Sequence, residues 1–266
     1  MRIGRCTPQS GNPYISHARS KREGLLSCCQ NKARHKLLVE IRHLPTLNFV
    51  RARLPAAVVV GYRARDALAV ERRRMPWMAV EKHFRFEGPN GAASLADLFE
   101  GRRQLIVYRA FYAPDVTTYP ASGGAYPERA CVGCSFGADQ VAHPAHLNAR
   151  DTTLVYVSRA PQVEIQGLKD RMGWELIPWY TLTDDFDKDF GVDEWHGHNA
   201  FIREGDRIFR TYFVNARGDS HLGTTWSYLD ITALGRQEEW EDSPEGYPQT
   251  PPYQWWNYHD AYGQNT

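Results

Sequence analysis

Long apolar runs are missing from this chain of 266 residues. A bilayer-crossing helix needs about 18 consecutive apolar residues or more, so none is expected. The apolar stretch at 54–61 is too short, is flanked by arginines and is not closed by an Ala-x-Ala-like site. It does not read as a secretion signal. Cysteine is scarce, and its count of 5 is odd. A secreted disulfide scaffold distributes more pairs through a smaller chain, so a cytoplasmic protein with one working pair is the expectation. A nucleotide fingerprint is lacking too. Gly123-Gly124 has neither the further glycine nor the Lys-Ser/Thr context of a phosphate loop. No zinc-finger spacing and no interleaved aromatic platform accompany the basic residues. The His–Asp pairs stand without a serine to complete a hydrolase triad. Phosphoryl transfer and ester hydrolysis are therefore unsupported, and no cofactor is expected.

Apolar material, by contrast, is plentiful. Hydrophobic residues make up 42% and charged residues 24%, the balance of one large soluble domain with attachments. The net charge of +1 hides a division. Residues 1–85 carry 18 Lys/Arg against 5 Asp/Glu, while residues 86–266 carry 14 against 26. Such a basic arm suits nucleic acid or an acidic membrane. With no recognition pattern beside it, the simpler reading is an arm that neutralises an acidic body. Neither nucleic acid nor membrane is expected as a partner.

Periodicity is poor over residues 1–62, which read as an irregular basic extension. Residues 63–74 are helix-friendly, and Pro76 stops them. A short strand at 83–87, a turn at 88–91 and a helix at 95–99 capped by Ser94 follow, with Gly101 as its exit. Central strands are expected at 105–108 and 152–158. Helices are expected at 135–145, interrupted at Pro144, and at 161–172. A short acid-capped helix falls within 181–190. Residues 200–203 and 207–212 form a hairpin about Glu204-Gly205-Asp206, and a last helix covers 225–234. The body is thus 63–236, followed by an aromatic and proline-rich tail at 237–266. The element order gives an α/β class, with central strands apolar enough to need helices on both sheet faces.

Cys131-Val132-Gly133-Cys134 follows the first central strand and opens a helix, outside the carboxyl end of the sheet where α/β sites form. Cysteines at this spacing close a disulfide if the backbone brings them together. At a helix start the first thiol meets unpaired N–H groups and the positive dipole end, which favour its thiolate. Cys131 is the expected nucleophile toward a disulfide or a peroxide. Cys134, one turn inward, resolves the adduct. The same spacing also fits a structural disulfide or a buried reduced pair in a noncatalytic binding or assembly module.

Other side chains are candidates for supporting that pair. Arg109, at the carboxyl end of the first strand, either lowers a thiol pKa, binds an anion or forms a surface salt bridge. Tyr112, Tyr119 and Tyr126, in the long loop before the motif, either roof a pocket or pack the loop. Ser135 either bonds near Cys134 or satisfies local backbone. His196 and His198, with Asp193 and the cysteines, offer N, O and S ligands, a weaker metal-binding alternative. A second compact ligand pair is lacking, so no metal is assigned. His143 and His146 are read as solvated, since Pro144 spoils a shared helix face. The tail carries Trp240, Tyr253, Trp255, Trp256 and Tyr258, rings that need burial. They either strap their own domain or reach a second subunit in a homodimer.

The segments ARDALAVERRRMPW at 64–77, SLADLF at 94–99, LIVYRAFYAP at 105–114 and CVGCSFGAD at 131–139 resemble the bacterial DUF899 family. VSRAP at 157–161, RMGW at 171–174, FIREGDRIFRTYF at 201–213 and SYLDITALGR at 227–236 extend the match. The resemblance covers about 62–262. It implies a thioredoxin-like central sheet flanked by helices. The first 60 residues do not resemble the usual family start, and a misplaced start codon or shifted reading frame is one source of such a segment. Thioredoxins place a cis-proline beside the disulfide, just before a strand. Here the corresponding position is read as Asn199.

Overall fold

The computed structural model describes residues 47–113, 130–192 and 195–263, with side chains from residue 60 onward. The chain divides into two units at the Ala69–Val70 junction, and the account below concerns the second, Val70–Thr266. Residues 237–263, the described part of the tail, fall in this second unit. Helix α1 (Leu47–Arg74) starts well before the expected position 63. It ends where expected, with Arg72, Arg73 and Arg74 in the last turn, where basic side chains meet the negative dipole end. Among the described residues no helix is long and apolar enough to cross a membrane.

Among the described residues eight strands form one mixed sheet: β1 (Met78–Ala79), β2 (Arg85–Gly88), β3 (Gly91–Ser94), β4 (Gln104–Arg109), β5 (Thr152–Ser158), β6 (Trp179–Leu182), β7 (Gly197–Glu204) and β8 (Arg207–Val214). Their order across the sheet is β1-β8-β7-β4-β5-β6-β2-β3. β4 and β5 run parallel, from Gln104↔Thr152 to Arg109↔Val157. Parallel neighbours need a crossover. Here it contains α2 (Val132–Ala138) and α3 (Pro144–Asn148). A second crossover, α4 (Gln162–Met172), leads to β6, which is parallel to β5. The β7–β8 hairpin lies antiparallel on the other side of β4. Its turn needs Gly205, at φ +61°. A central parallel pair, an antiparallel hairpin and a cysteine-bearing helix leaving the central strand make this a thioredoxin-like α/β fold.

Three strands, β1, β3 and β6, and several helix boundaries depart from expectation. The turn at 88–91 closes a hairpin with β3, whose Gly-Ala-Ala-Ser sequence carries no strand pattern. β6 is masked by Pro178, whose carbonyl accepts the Tyr156 N–H (2.8 Å) immediately before the strand. Pro144 opens α3 at a position where its missing N–H is not needed, instead of interrupting a longer helix. His143 caps that helix, its Nδ1 accepting from the Ala145 N–H (3.3 Å). Ser94 does serve the next turn as expected: its hydroxyl accepts the Asp97 N–H (3.3 Å) at the 3-10 helix Asp97–Phe99.

Strand alternation sorts the core onto two faces. Leu105, Val107, Val155 and Val157 pack with Phe86, Phe201 and the rings of α5 (Phe186–Phe190). Tyr108 and Tyr156 point to the opposite face and pack with Cys134, Ile165, Leu168 and Trp179. Each fully buried Leu or Phe contributes about 1.5–3 kcal/mol relative to exposure. The cysteine motif therefore sits on the Tyr108 face, and α5 sits on the other.

Candidate functional site

β4 hands the chain to Ala110, whose N–H still bonds Val157 (2.8 Å). The chain returns at Cys131, whose N–H donates to the Phe111 carbonyl (3.0 Å). Cys131 is thereby anchored beside the end of β4, and it occupies the N-cap position of α2 with φ −58° and ψ 128°. Its carbonyl accepts the Ser135 N–H (3.0 Å) and the Ser135 hydroxyl (3.0 Å). Both cysteines are free thiols, Cys131 half-buried and Cys134 buried.

The two sulfurs have different surroundings. They are hydrogen-bonded to each other, and this bond is the main reason the Cys131 thiol is brought down to about 7, against the effect of burial. The backbone N–H groups of Cys134 and Gly133 add to the lowering. Burial, first, and the Cys131 sulfur, second, push the Cys134 thiol well up. Cys134 Sγ also accepts the Phe111 N–H (3.2 Å) and the Tyr108 hydroxyl (3.4 Å). Burial raises Tyr108 as well, so its hydroxyl remains a donor at neutral pH. The pair thus comprises one reachable sulfur that ionises easily and one enclosed sulfur that holds its proton.

The tail lies against this motif. The Trp256 ring stacks on Phe136 with centroids 5.3 Å apart and planes 7° apart. A Cβ on Gly133 would come within 2.7 Å of that ring, so the residue immediately before Cys134 must be small. Tyr258 is buried and its hydroxyl donates to the Ala130 carbonyl, one residue before Cys131. Arg171 clamps Asp260 through two bonds (2.8 and 2.7 Å). The aromatic segment straps its own domain.

Several expected supports act elsewhere. Arg109 does not reach the cysteines. It shares the Val107 face, fully buried, and its guanidinium binds Asp187 of α5 (2.6 and 3.1 Å) and the Ala110 carbonyl. Arg159 completes that cluster on the same carboxylate (3.0 Å). Asn199 is also displaced from its expected role. It pairs in register with Val107, so it faces away from the motif. The residue opposite the end of β4 is Gly197, preceded by His196, whose ring stacks on Phe111 at 5.5 Å. Ser135 serves the Cys131 carbonyl and not the Cys134 sulfur. Tyr112 packs at the edge of the same core and donates to Glu164 (3.1 Å), with burial and that carboxylate pushing it up to about 12. Tyr119, Tyr126 and Asp193 lie outside the described residues.

The two histidines are engaged separately. His196 Nε2 accepts from the Ala216 N–H (3.1 Å), and His198 Nδ1 bonds Asp219 (3.0 Å) while its ring packs on Tyr108 at 4.5 Å. Among the described residues no group of three or more His, Cys, Asp or Glu is arranged to hold a metal ion. Tyr108 is a site residue that the sequence reading passed over, while Trp256 and Tyr258 were read only as tail rings that need burial, without a place at the cysteine motif. For Tyr108 the signal was the period of two: it faces the cysteines because its neighbour Arg109 does not. For the tail rings no local signal exists, since their partners lie more than a hundred residues away.

Solved structures with a distant likeness to the chain include the following three. A hypothetical protein from Sinorhizobium meliloti 1021 is 12% identical, with a TM-score of 0.32, covering 54% of this chain and 74% of its own. A yeast mitochondrial 1-Cys peroxiredoxin is 13% identical, with a TM-score of 0.33, covering 53% and 70%. BsSco, of the Sco family of cytochrome c oxidase assembly proteins, is 11% identical, with a TM-score of 0.29, covering 52% and 85%. No curated protein matches. Residues 51–262 match the family described as bacterial protein of unknown function, and the chain belongs to that family, DUF899.

Proposed function

We propose that the chain is a thiol oxidoreductase whose Cys131 thiolate attacks a disulfide or a peroxide and whose Cys134 resolves the product. The observation that carries this reading is the asymmetry of the pair: a half-buried thiol lowered to about 7 beside a buried, hydrogen-bonded thiol held protonated. Near neutral pH the first sulfur is nucleophilic without further activation.

With a disulfide substrate, Cys131 Sγ bonds one substrate sulfur and the other leaves as a thiolate. Cys134 then loses its proton, attacks Cys131 Sγ and releases the second substrate thiol. Two electrons pass to the substrate and a Cys131–Cys134 disulfide forms. With a hydroperoxide, Cys131 Sγ takes the terminal oxygen, an alcohol leaves with a proton, and the sulfenic acid condenses with Cys134 to give the same disulfide and water. An external thiol donor must return the two electrons. This reading includes a cytoplasmic, reducing setting and partners that are small or protein-bound thiols, disulfides or peroxides.

The test is a single turnover with cumene hydroperoxide and, separately, with glutathione disulfide, followed by mass spectrometry. The native chain should end two hydrogen atoms lighter. Cys134→Ser should stop at a trapped Cys131 adduct, and Cys131→Ser should not react. If both thiols stay unmodified under stoichiometric oxidant, the chain is a noncatalytic module on the same fold.

A further inference from the structure

A cavity of about 410 Å³ opens on the Tyr108 face, beside the cysteine motif but lined by neither cysteine. That volume lies within the range of small-molecule sites, about 300–1,000 Å³. Its floor is two rows of side chains in register across the sheet. One row is Leu154, Ile106, Ala200 and Tyr212, and the other is Tyr156, Tyr108, His198 and Val214. The first row is apolar except for one phenol hydroxyl. Gly133 and Gly137 of α2 border the cavity, and a Cβ on Gly137 would stand 3.9 Å from the Tyr156 hydroxyl on its floor.

The polar atoms at its walls are unequal. Trp226 is buried, and its indole N–H has no partner. Arg72 Nε is likewise enclosed and unpaired. The Arg72 guanidinium lies over the Tyr212 ring at 4.8 Å and meets His221 Nε2 at 3.5 Å. No carboxylate among the described residues pairs with it. Buried donors without acceptors are uncommon and costly. Both of these groups donate only, so the complementary ligand presents acceptors. Asp219 limits its charge: this wall carboxylate, bound to His198, would repel a dianion far more than a monoanion.

We propose that this cavity binds a small monoanion with an apolar body, a carboxylate-class ligand. Its carboxylate meets Arg72, with the Trp226 N–H as a further donor, and its body lies on the Ile106–Ala200–Tyr212 row. The proposal is independent of the cysteine chemistry, because neither sulfur lines the space.

Full-length protein titrated with phenylpropanoate, octanoate and the neutral isostere phenylpropanamide tests it, by calorimetry and by methyl resonances of Ile106, Leu154 and Ala200. Saturable shifts of those methyls are expected, with the acid binding about tenfold or more tighter than the amide, the discrimination of one charge-assisted hydrogen bond. Arg72→Gln should bring the acid to the amide's affinity and leave the amide unchanged. Cys131→Ser should bind as the native chain does, whether or not the thiols are redox-active. The proposal is overturned by equal affinity for acid and amide, by undiminished acid binding in Arg72→Gln, or by no saturable shift from either acid up to about 10 mM.

Discussion

A single helical turn separates Cys131 from Cys134, yet the proton is held tightly by only one of them. The difference comes from burial and from donors aimed at each sulfur, not from a neighbouring cation. Alkylation of Cys131 by iodoacetamide should therefore rise with a midpoint near pH 7 and fall below it as the thiolate takes up its proton. Cys134 should resist alkylation throughout that range. A Cys131 midpoint near that of a free thiol would remove the basis for its attacking role. The buried Arg109–Asp187 pair makes a contrasting case. Asp187→Asn leaves Arg109 without its counter-charge, and should cost about 3–5 kcal/mol in urea unfolding. The Cys131 midpoint should not move, because the guanidinium faces α5. The cysteine spacing was legible because it is local. The role of Arg109 was not, because nearness to a strand end does not tell which face a side chain takes.

At the scale of elements, α2 is fitted to a ring that arrives from elsewhere. Gly133→Ala places a methyl group against Trp256, an overpacking expected to cost about 1–3 kcal/mol in thermal or urea unfolding. Trp256→Ala added to it should recover part of that loss, whereas independent effects would simply add. The same contrast between local and distant information governs the fold. β5 was legible to the residue, since Thr-Thr-Leu-Val-Tyr-Val-Ser is a continuous strand-forming run. β3 and β6 were not, because a Gly-Ala-Ala-Ser segment and a four-residue strand behind a proline owe their conformation to pairing with β2. The family resemblance supplied the architecture that these segments could not announce.

For the whole molecule, the strap is the connection to examine. Glu238 is buried and gathers three donors, the Trp240 and Trp255 indole N–H groups and the Tyr253 amide (3.0 Å). Glu238→Ala leaves them unsatisfied, and each lost partner costs about 1–3 kcal/mol. Its melting temperature should fall clearly below that of the native chain. Truncation after Gly235 should lower it further and speed Cys131 alkylation, with particle mass in solution falling only by the deleted segment. A halving of particle mass would instead make the strap a dimer element.

Tyr258 is translated 128 residues after Ala130, the group it seals. A nascent chain can therefore build the β4–α2–β5 core long before its lid exists. During that interval Gly133 lacks the Trp256 ring and the Ala130 carbonyl lacks the Tyr258 hydroxyl. A ribosome stalled before the strap emerges would present the cysteine motif without the segment that lies against it.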